Sequence, residues 1–174
     1  ALIEYMDTHE EVGQMMPKVM YPNGQIQRLA KLLPTPLDFF GRFCLPAFLI
    51  KRRNTRFELV QSGFSKTMSV PFLSGCFMFF RMTAMEKVGM FDERFFLYAE
   101  DIDMTRRMHQ KYDTIFYPKT TIYHTFTRGS RKDLRLLLIH IVSTIKYLNK
   151  WGWWRDKERT RINKQVLKEI GGIV

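Results

Sequence analysis

Leu2, Ile3 and Met6 recur at helical spacing at the start of the chain, and residues 12–20 then read as a strand. Pro22-Asn23-Gly24 supplies turn chemistry before a second strand begins at Ile26. Pro34-Thr35-Pro36, followed by Leu37-Asp38-Phe39-Phe40, predicts a short helix entered through proline in its first turn. Residues 51–69 combine Lys51-Arg52-Arg53, Gly63 and scattered polar positions without clear periodicity, and read as a mobile loop. Residues 70–81 form the most apolar run in the chain. Through Gly75, Cys76, Phe77, Met78, Phe79 and Phe80 they predict the core strand, buried on both faces, with a helix following over 82–88. A second helix is expected over 98–112, two short strands over 114–117 and 121–123 around Pro118-Lys119, and two closing helices over 132–149 and 156–170. Trp151-Gly152-Trp153-Trp154 separates the last two.

This order of strands and helices is that of one α/β domain, which suits a length of 174 residues. A hydrophobic share of 45% with 26% charged residues excludes a wholly disordered chain. The net charge of +11 is unevenly placed: residues 128–174 hold twelve Lys and Arg against four Asp and Glu, and residues 1–127 sixteen against thirteen. The basic tail implies an anionic partner, which charge alone leaves open between a phosphorylated small molecule, an anionic membrane face and nucleic acid. Cys44 and Cys76 fit no metal-ligand spacing and are too few for a disulfide framework, so both read as buried free thiols of a reducing compartment. The most apolar helix, over 134–148, is interrupted by His140, Ser143, Thr144 and Lys146, too polar to span a bilayer. The first residues carry no initiator Met, basic leader or cleavage site, and read as the interior of a longer cytoplasmic chain.

Two places carry candidate chemistry. Glu100, Asp101 and Asp103 put three carboxylates into one helical first turn. Such crowding raises the pKa of at least one of them, as a general base requires, although an acidic first turn also stabilises a helix on its own. His124 ends a strand beside a loop bearing Arg128, Ser130, Arg131 and Lys132, a position suited to a metal or a diphosphate but also to a purely structural histidine. No Gly-rich phosphate loop, Ser-His-Asp arrangement or zinc-protease motif is present.

Taken in order, Phe72-Leu73-Ser74-Gly75-Cys76-Phe77-Met78-Phe79-Phe80-Arg81, the stretch from Val88 to Arg107 with its pattern GxFDExFFLYxEDxDxxxR, Tyr117-Pro118 and Tyr123-His124 resemble glycosyltransferase family 2. The likeness is strongest to the bacterial rhamnosyltransferase-like branch and runs from about residue 1 to 150, with Pro17-Lys18, Asn23-Gly24 and Pro34-Thr35-Pro36 in place. It implies the C-terminal part of a GT-A, Rossmann-like mixed sheet with flanking helices: residues 1–127 as the acceptor-side part of the domain and 128–174 as a basic helical tail. It further implies inverting transfer from a nucleotide-sugar, dTDP-rhamnose for this branch, to a glycan or lipid-linked acceptor in surface polysaccharide synthesis. By this resemblance Asp101 is the base with Glu100 beside it, and Ser74 and Gly75 line the acceptor side. Arg128 and Arg131 stabilise the leaving diphosphate, while His124 helps bind a divalent metal, Mg or Mn. Most ligands of that metal belong to a D-x-D motif in a nucleotide-binding half that should precede Ala1; Asp101-Ile102-Asp103 is not its replacement. The helix after Arg107 usually ends at glycine, so Asp113 is expected to take a left-handed cap.

Two rivals follow from the residues alone. One is a non-catalytic membrane- or partner-binding module whose carboxylates only cap a helix. The other, a nucleic-acid binder, lacks any recognised motif beside its charge. The tail itself, with Leu134, Leu137, Leu138, Ile141, Ile145 and Leu148 in a stripe beside three tryptophans, suits either a core or the inner face of the cell membrane.

Overall fold

A computed structural model of the protein describes residues 1–125 and 133–171. Its architecture is mixed α/β, as the alternation of patterns predicts. The interior of the sheet is formed by β1 (Val12–Met20) and a later strand, not by the apolar run at 70–81. β1 pairs in parallel with β6 (Asp113–Tyr123), and the four-stranded sheet has the order β3 (Met68–Ser69), β6, β1, β5 (Phe79–Phe80). The outer strands are antiparallel to their neighbours. Pro118 lies where the β1–β6 register slips, with Pro17 opposite Tyr117 and Lys18 opposite Thr121. The two strands expected around Pro118 are therefore one strand with a bulge, which absorbs residues that cannot keep the ladder.

The run at 70–81 is broken into β4 (Phe72–Leu73), a turn over 74–78, and β5. β4 leaves the main sheet to pair with β2 (Ala30–Lys31), and Phe77 to Phe80 are only half-buried. After the Asn23-Gly24 turn, Ile26 makes a single bridge to Met20 and starts no strand. Residues 51–69, expected as a loop, contain most of α3 (Ala47–Phe57) and a 3-10 turn (Val60–Ser62). Helices α1 (Leu2–Thr8), α2 (Pro36–Phe40), α4 (Met82–Val88), α5 (Glu100–His109), α6 (Leu134–Trp151) and α7 (Lys157–Glu169) stand close to their expected places. The cap proposed for Asp113 is not made: α5 ends at Gln110 in right-handed geometry, and Asp113 already opens β6. Cys44 and Cys76 are free, but Cys44 is exposed and Cys76 half-buried.

The main core draws on both ends of the chain, joining Leu33, Leu59, Leu73 and Phe116 to Tyr147, Leu148, Ile162, Val166 and Leu167 from α6 and α7. Polar contacts lock the same junction. Arg106, 1% exposed, donates to both carboxylate oxygens of Asp156 at 2.7 and 3.0 Å and to Glu158 at 2.9 Å, with its guanidinium 4.1 Å from the centre of the Trp151 ring. Asp156 also caps α7 by accepting from the Arg159 backbone N–H. No helix among the described residues is long and apolar enough to cross a membrane.

Candidate active site

α5 presents its two Asp residues in opposite directions because positions two apart on a helix lie about 200° apart. Asp103 points inward and is a structural anchor. Its carboxylate takes the Arg107 Nε at 2.9 Å, the Trp151 indole N–H at 2.7 Å and the Lys150 ammonium at 2.7 Å. Asp101 points to the other side, where its Oδ2 accepts the Gly75 N–H at 2.8 Å and its Oδ1 the Ile102 N–H at 2.8 Å. Each oxygen keeps a lone-pair direction for a further donor. Burial raises the Asp101 pKa above the usual carboxylate range, against the pull of these N–H groups and of the Lys31 ammonium. A raised, partly compensated carboxyl is what a base working near neutrality needs.

Gly75 is required by proximity. A Cβ there would stand 3.3 Å from the Asp101 Cβ and 3.5 Å from its Oδ2. The Ser74 N–H donates to the Leu29 carbonyl at 3.1 Å, fixing the turn that brings Gly75 to Asp101. That turn is what interrupts the apolar run. Glu100, beside Asp101, has a buried Oε2 without a hydrogen-bond partner among the described residues. Its pKa is raised by burial and then by the Asp101 charge.

Lys31 completes the cluster and no sequence signal marked it, because it lies seventy positions from Asp101. Its ammonium sits 5.5 Å over the Phe57 ring and 5.8 Å over Phe72. Burial lowers its pKa, while Glu58, Asp101 and Cys76 act in the opposite sense. The Cys76 thiol is pushed up to about 11, mainly by burial and then by Asp101, and is a poor nucleophile.

The approach to α5 is strained. Tyr98 (φ 66°) and Ala99 (φ 68°) are both left-handed, a conformation costing a non-glycine residue roughly 1–2 kcal/mol. α6 holds this loop from outside: Ser143 Oγ donates to the Leu97 carbonyl at 2.7 Å, Lys146 to the Arg94 carbonyl at 2.9 Å and Lys150 to Asp92 at 2.7 Å. Burial would raise the Asp92 pKa, but bonds from Lys150 and Arg94 outweigh it and bring it to about 2.

His124 is placed at the end of β6, apart from the carboxylates. Its backbone N–H donates to the Met20 carbonyl at 2.9 Å and its Nδ1 lies 3.3 Å from Gln27 Oε1. The segment from Gln27 to Lys31 links it to the Asp101 cluster, spanning at most about 14 Å. Among the described residues no three His, Cys, Asp or Glu side chains converge on one point, so these residues do not make a metal centre of their own. Arg128 and Arg131 lie outside the described residues.

The mixed sheet and α5 bring a buried carboxylate with a raised pKa against a backbone N–H, and the family model for glycosyltransferase-like family 2 matches residues 33–138. The chain belongs to that family. It is similar to the N-acetylglucosaminyl-diphospho-decaprenol L-rhamnosyltransferases of two Mycobacterium tuberculosis strains, CDC 1551 / Oshkosh and ATCC 25618 / H37Rv. Identity is 26% over 159 residues, 89% of this chain and 52% of each relative. The chain thus spans about half the length of the curated relatives it matches.

Proposed function

We propose that this chain forms the acceptor side of an inverting glycosyltransferase that moves a sugar, rhamnose by likeness to its relatives, from a nucleotide-sugar to a lipid-linked acceptor for surface polysaccharide. The observation that carries the reading is the Asp101 carboxylate, raised by burial and held by the Gly75 N–H, with no ion pair to it among the described residues. In the reaction an acceptor hydroxyl attacks the anomeric carbon and Asp101 takes its proton. The bond to the leaving diphosphate breaks with its electron pair, and the new glycosidic bond forms from the opposite face. The Lys31 ammonium favours the ionised form of Asp101 against its burial, and the Oε2 of Glu100, without a hydrogen-bond partner among the described residues, is suited to accept a second acceptor hydroxyl. In this reading Ser74 and Gly75 serve the acceptor, Arg128 and Arg131, which lie outside the described residues, serve the leaving diphosphate by charge, and His124 would contribute to binding a divalent metal. The nucleotide-binding half and most ligands of a divalent metal belong to the part of the relatives that this chain does not span.

Asp101→Asn tests the reading in the chain joined to its nucleotide-binding half. Turnover should fall at least about a hundredfold, as for a lost positioned base, with donor affinity nearly unchanged. The chain without that half should consume no donor. A folded Asp101→Asn enzyme with near-normal turnover would reduce the carboxylate to a helix-capping role and favour a binding module.

The tail has a part in this reading. The inner face of α6 mixes the polar Ser143 and Thr144 with the core residues Tyr147 and Leu148, while Leu134, Leu138, Val142 and Ile145 form an exposed apolar stripe on its outer face. Exposed Arg135 and Lys146 flank the stripe, and exposed Trp154 and Arg155 follow the helix. This face suits peripheral contact with an anionic membrane, where the acceptor resides. Of the residues expected to face the bilayer, Leu148 is instead buried in the core, and Trp151 and Trp153 pack against it.

A further inference from the structure

A groove of about 1000 Å³ lies between α3 and α7, and Asp101 is not among its lining residues. Its floor is fixed: Asn163 of α7 bonds both the N–H and the carbonyl of Leu33 at 2.9 Å, and the Leu32 N–H donates to the Phe57 carbonyl at 3.0 Å. Its lining joins two chemistries. Leu37, Leu45, Phe48 and Leu49 offer apolar surface, with Phe48 69% exposed. Lys51, Arg52, Arg56 and Lys164 offer exposed cations, none of them in an ion pair among the described residues. The one carboxylate in the lining, Asp38, is already engaged by Arg53 and by the Thr35 hydroxyl and N–H. The Arg53 Nε is buried without a partner.

An apolar trough with surplus positive charge is complementary to an anionic amphiphile, its phosphates on the guanidinium groups and its chain along the leucines. The position of the groove selects among such molecules. Phe57, which lines it, carries on its ring the Lys31 ammonium that acts on Asp101. A ligand seated against Phe57 is therefore separated from Asp101 by two side chains, Phe57 and Lys31. We propose that the α3–α7 groove binds the diphosphate and the first isoprene units of the lipid-linked acceptor, delivering the attached sugar to Asp101. The proposal rests on the lipid-linked acceptor of the preceding section and adds a site for its carrier.

The test titrates this chain with farnesyl diphosphate, and separately with inorganic diphosphate, by calorimetry. Farnesyl diphosphate should bind at least tenfold more tightly than inorganic diphosphate. R52Q/R56Q should weaken it tenfold or more, with an unaltered circular dichroism spectrum because both side chains are exposed and unpaired. Leu49→Asn should abolish the preference for the prenylated ligand while keeping the diphosphate affinity. Equal affinity for the two ligands, or unchanged binding by R52Q/R56Q, would overturn the proposal. So would displacement of farnesyl diphosphate by phosphatidylglycerol vesicles, which would mark a general lipid surface, or by a DNA oligonucleotide. Asp101→Asn should leave this binding intact. Normal turnover by that variant, with farnesyl diphosphate still lost in R52Q/R56Q, would sink the catalytic reading alone. Transfer that depends on Asp101, with a lipid-acceptor KM unaffected by R52Q/R56Q, would sink the groove alone.

Discussion

Arg106 joins the helix that carries Asp101 to the last helix of the chain, and Arg106→Met measures what that joint is worth. The wild-type guanidinium makes three charge-assisted bonds, two to Asp156 and one to Glu158, stacks on Trp151, and lies 3.5 Å from the Tyr147 hydroxyl, all but excluded from water. Methionine fills most of the volume but leaves Asp156, 3% exposed, with Arg159 at 3.8 Å as its remaining cation. Breaking a buried ion pair by removing one partner costs about 3–5 kcal/mol. In a chain of this length that lowers the melting temperature by on the order of 10 °C. Asp156→Asn in the same background removes the stranded charge and keeps an α7 N-cap, so the double variant should regain about half of the loss. Differential scanning calorimetry of the wild type, both single variants and the double variant reads the cycle. If Arg106→Met melts within 2 °C of the wild type, or the double variant is no better than Arg106→Met, the junction is not held by this ion pair.

Gly75→Ala should cut turnover about tenfold with little change in stability, since the new methyl moves Asp101 by a few tenths of an ångström and reaction geometry tolerates little displacement; turnover equal to wild type would free Gly75 from the site. Activity should rise with pH along a limb above the ordinary carboxylate value of about 4, and Lys31→Met should move that limb higher still, because removing the cation disfavours the ionised base. A limb that stays in place in Lys31→Met would remove Lys31 from the mechanism. Stability runs with the opposite sign. A raised folded pKa favours the protonated state, so the stabilisation linked to Asp101 is complete below its unfolded pKa and lost as pH rises through the folded one. Co-sedimentation with phosphatidylglycerol vesicles should fall steeply with salt and drop severalfold in Leu138→Glu, whereas protein that stays in the supernatant at low salt would refute the membrane face of α6.

α4 and α7 were legible in the sequence because their periodicity is set by burial on one side, whereas α5 and β1, buried on nearly every side, were legible from an acidic first turn and from an apolar run before a turn. α3 was not, because its apolar residues Phe48, Leu49 and Ile50 are consecutive and its remaining positions are largely cationic, a pattern that wall residues of an open groove share with a loop. The run at 70–81 misled in the other direction. Its composition is that of a buried strand, but the contact between Gly75 and Asp101 demands a turn in its middle, and nothing local reports a partner twenty-six residues away. β1 took an interior place in the sheet despite Gln14, Pro17 and Lys18, because the slip in its pairing with β6 accommodates the proline. The different fates of Asp101 and Asp103 follow from helical geometry once the helix is granted. Which of the two faces Gly75 depends on Trp151 and Lys150, far along the chain.

Those two residues change what the basic tail is. Lys150 spans Asp92 and Asp103, Trp151 binds Asp103 and covers Arg106, and Ser143 and Lys146 hold the carbonyls of the strained loop that ends at Ala99. α6 therefore does two jobs within the protein, giving Tyr147 and Leu148 to the core and Ser143, Lys146 and Lys150 to the loop, while Leu134, Leu138, Val142 and Ile145 remain outside. The left-handed geometry at Tyr98 and Ala99 points the first turn of α5, and with it Asp101, at Gly75. A tail that only supplied charge would leave this geometry unsupported. The helix proposed to dock on a membrane is thus also the one that supports the approach to Asp101, so an outward change such as Leu138→Glu and an inward change such as Ser143→Ala separate docking from positioning within one element.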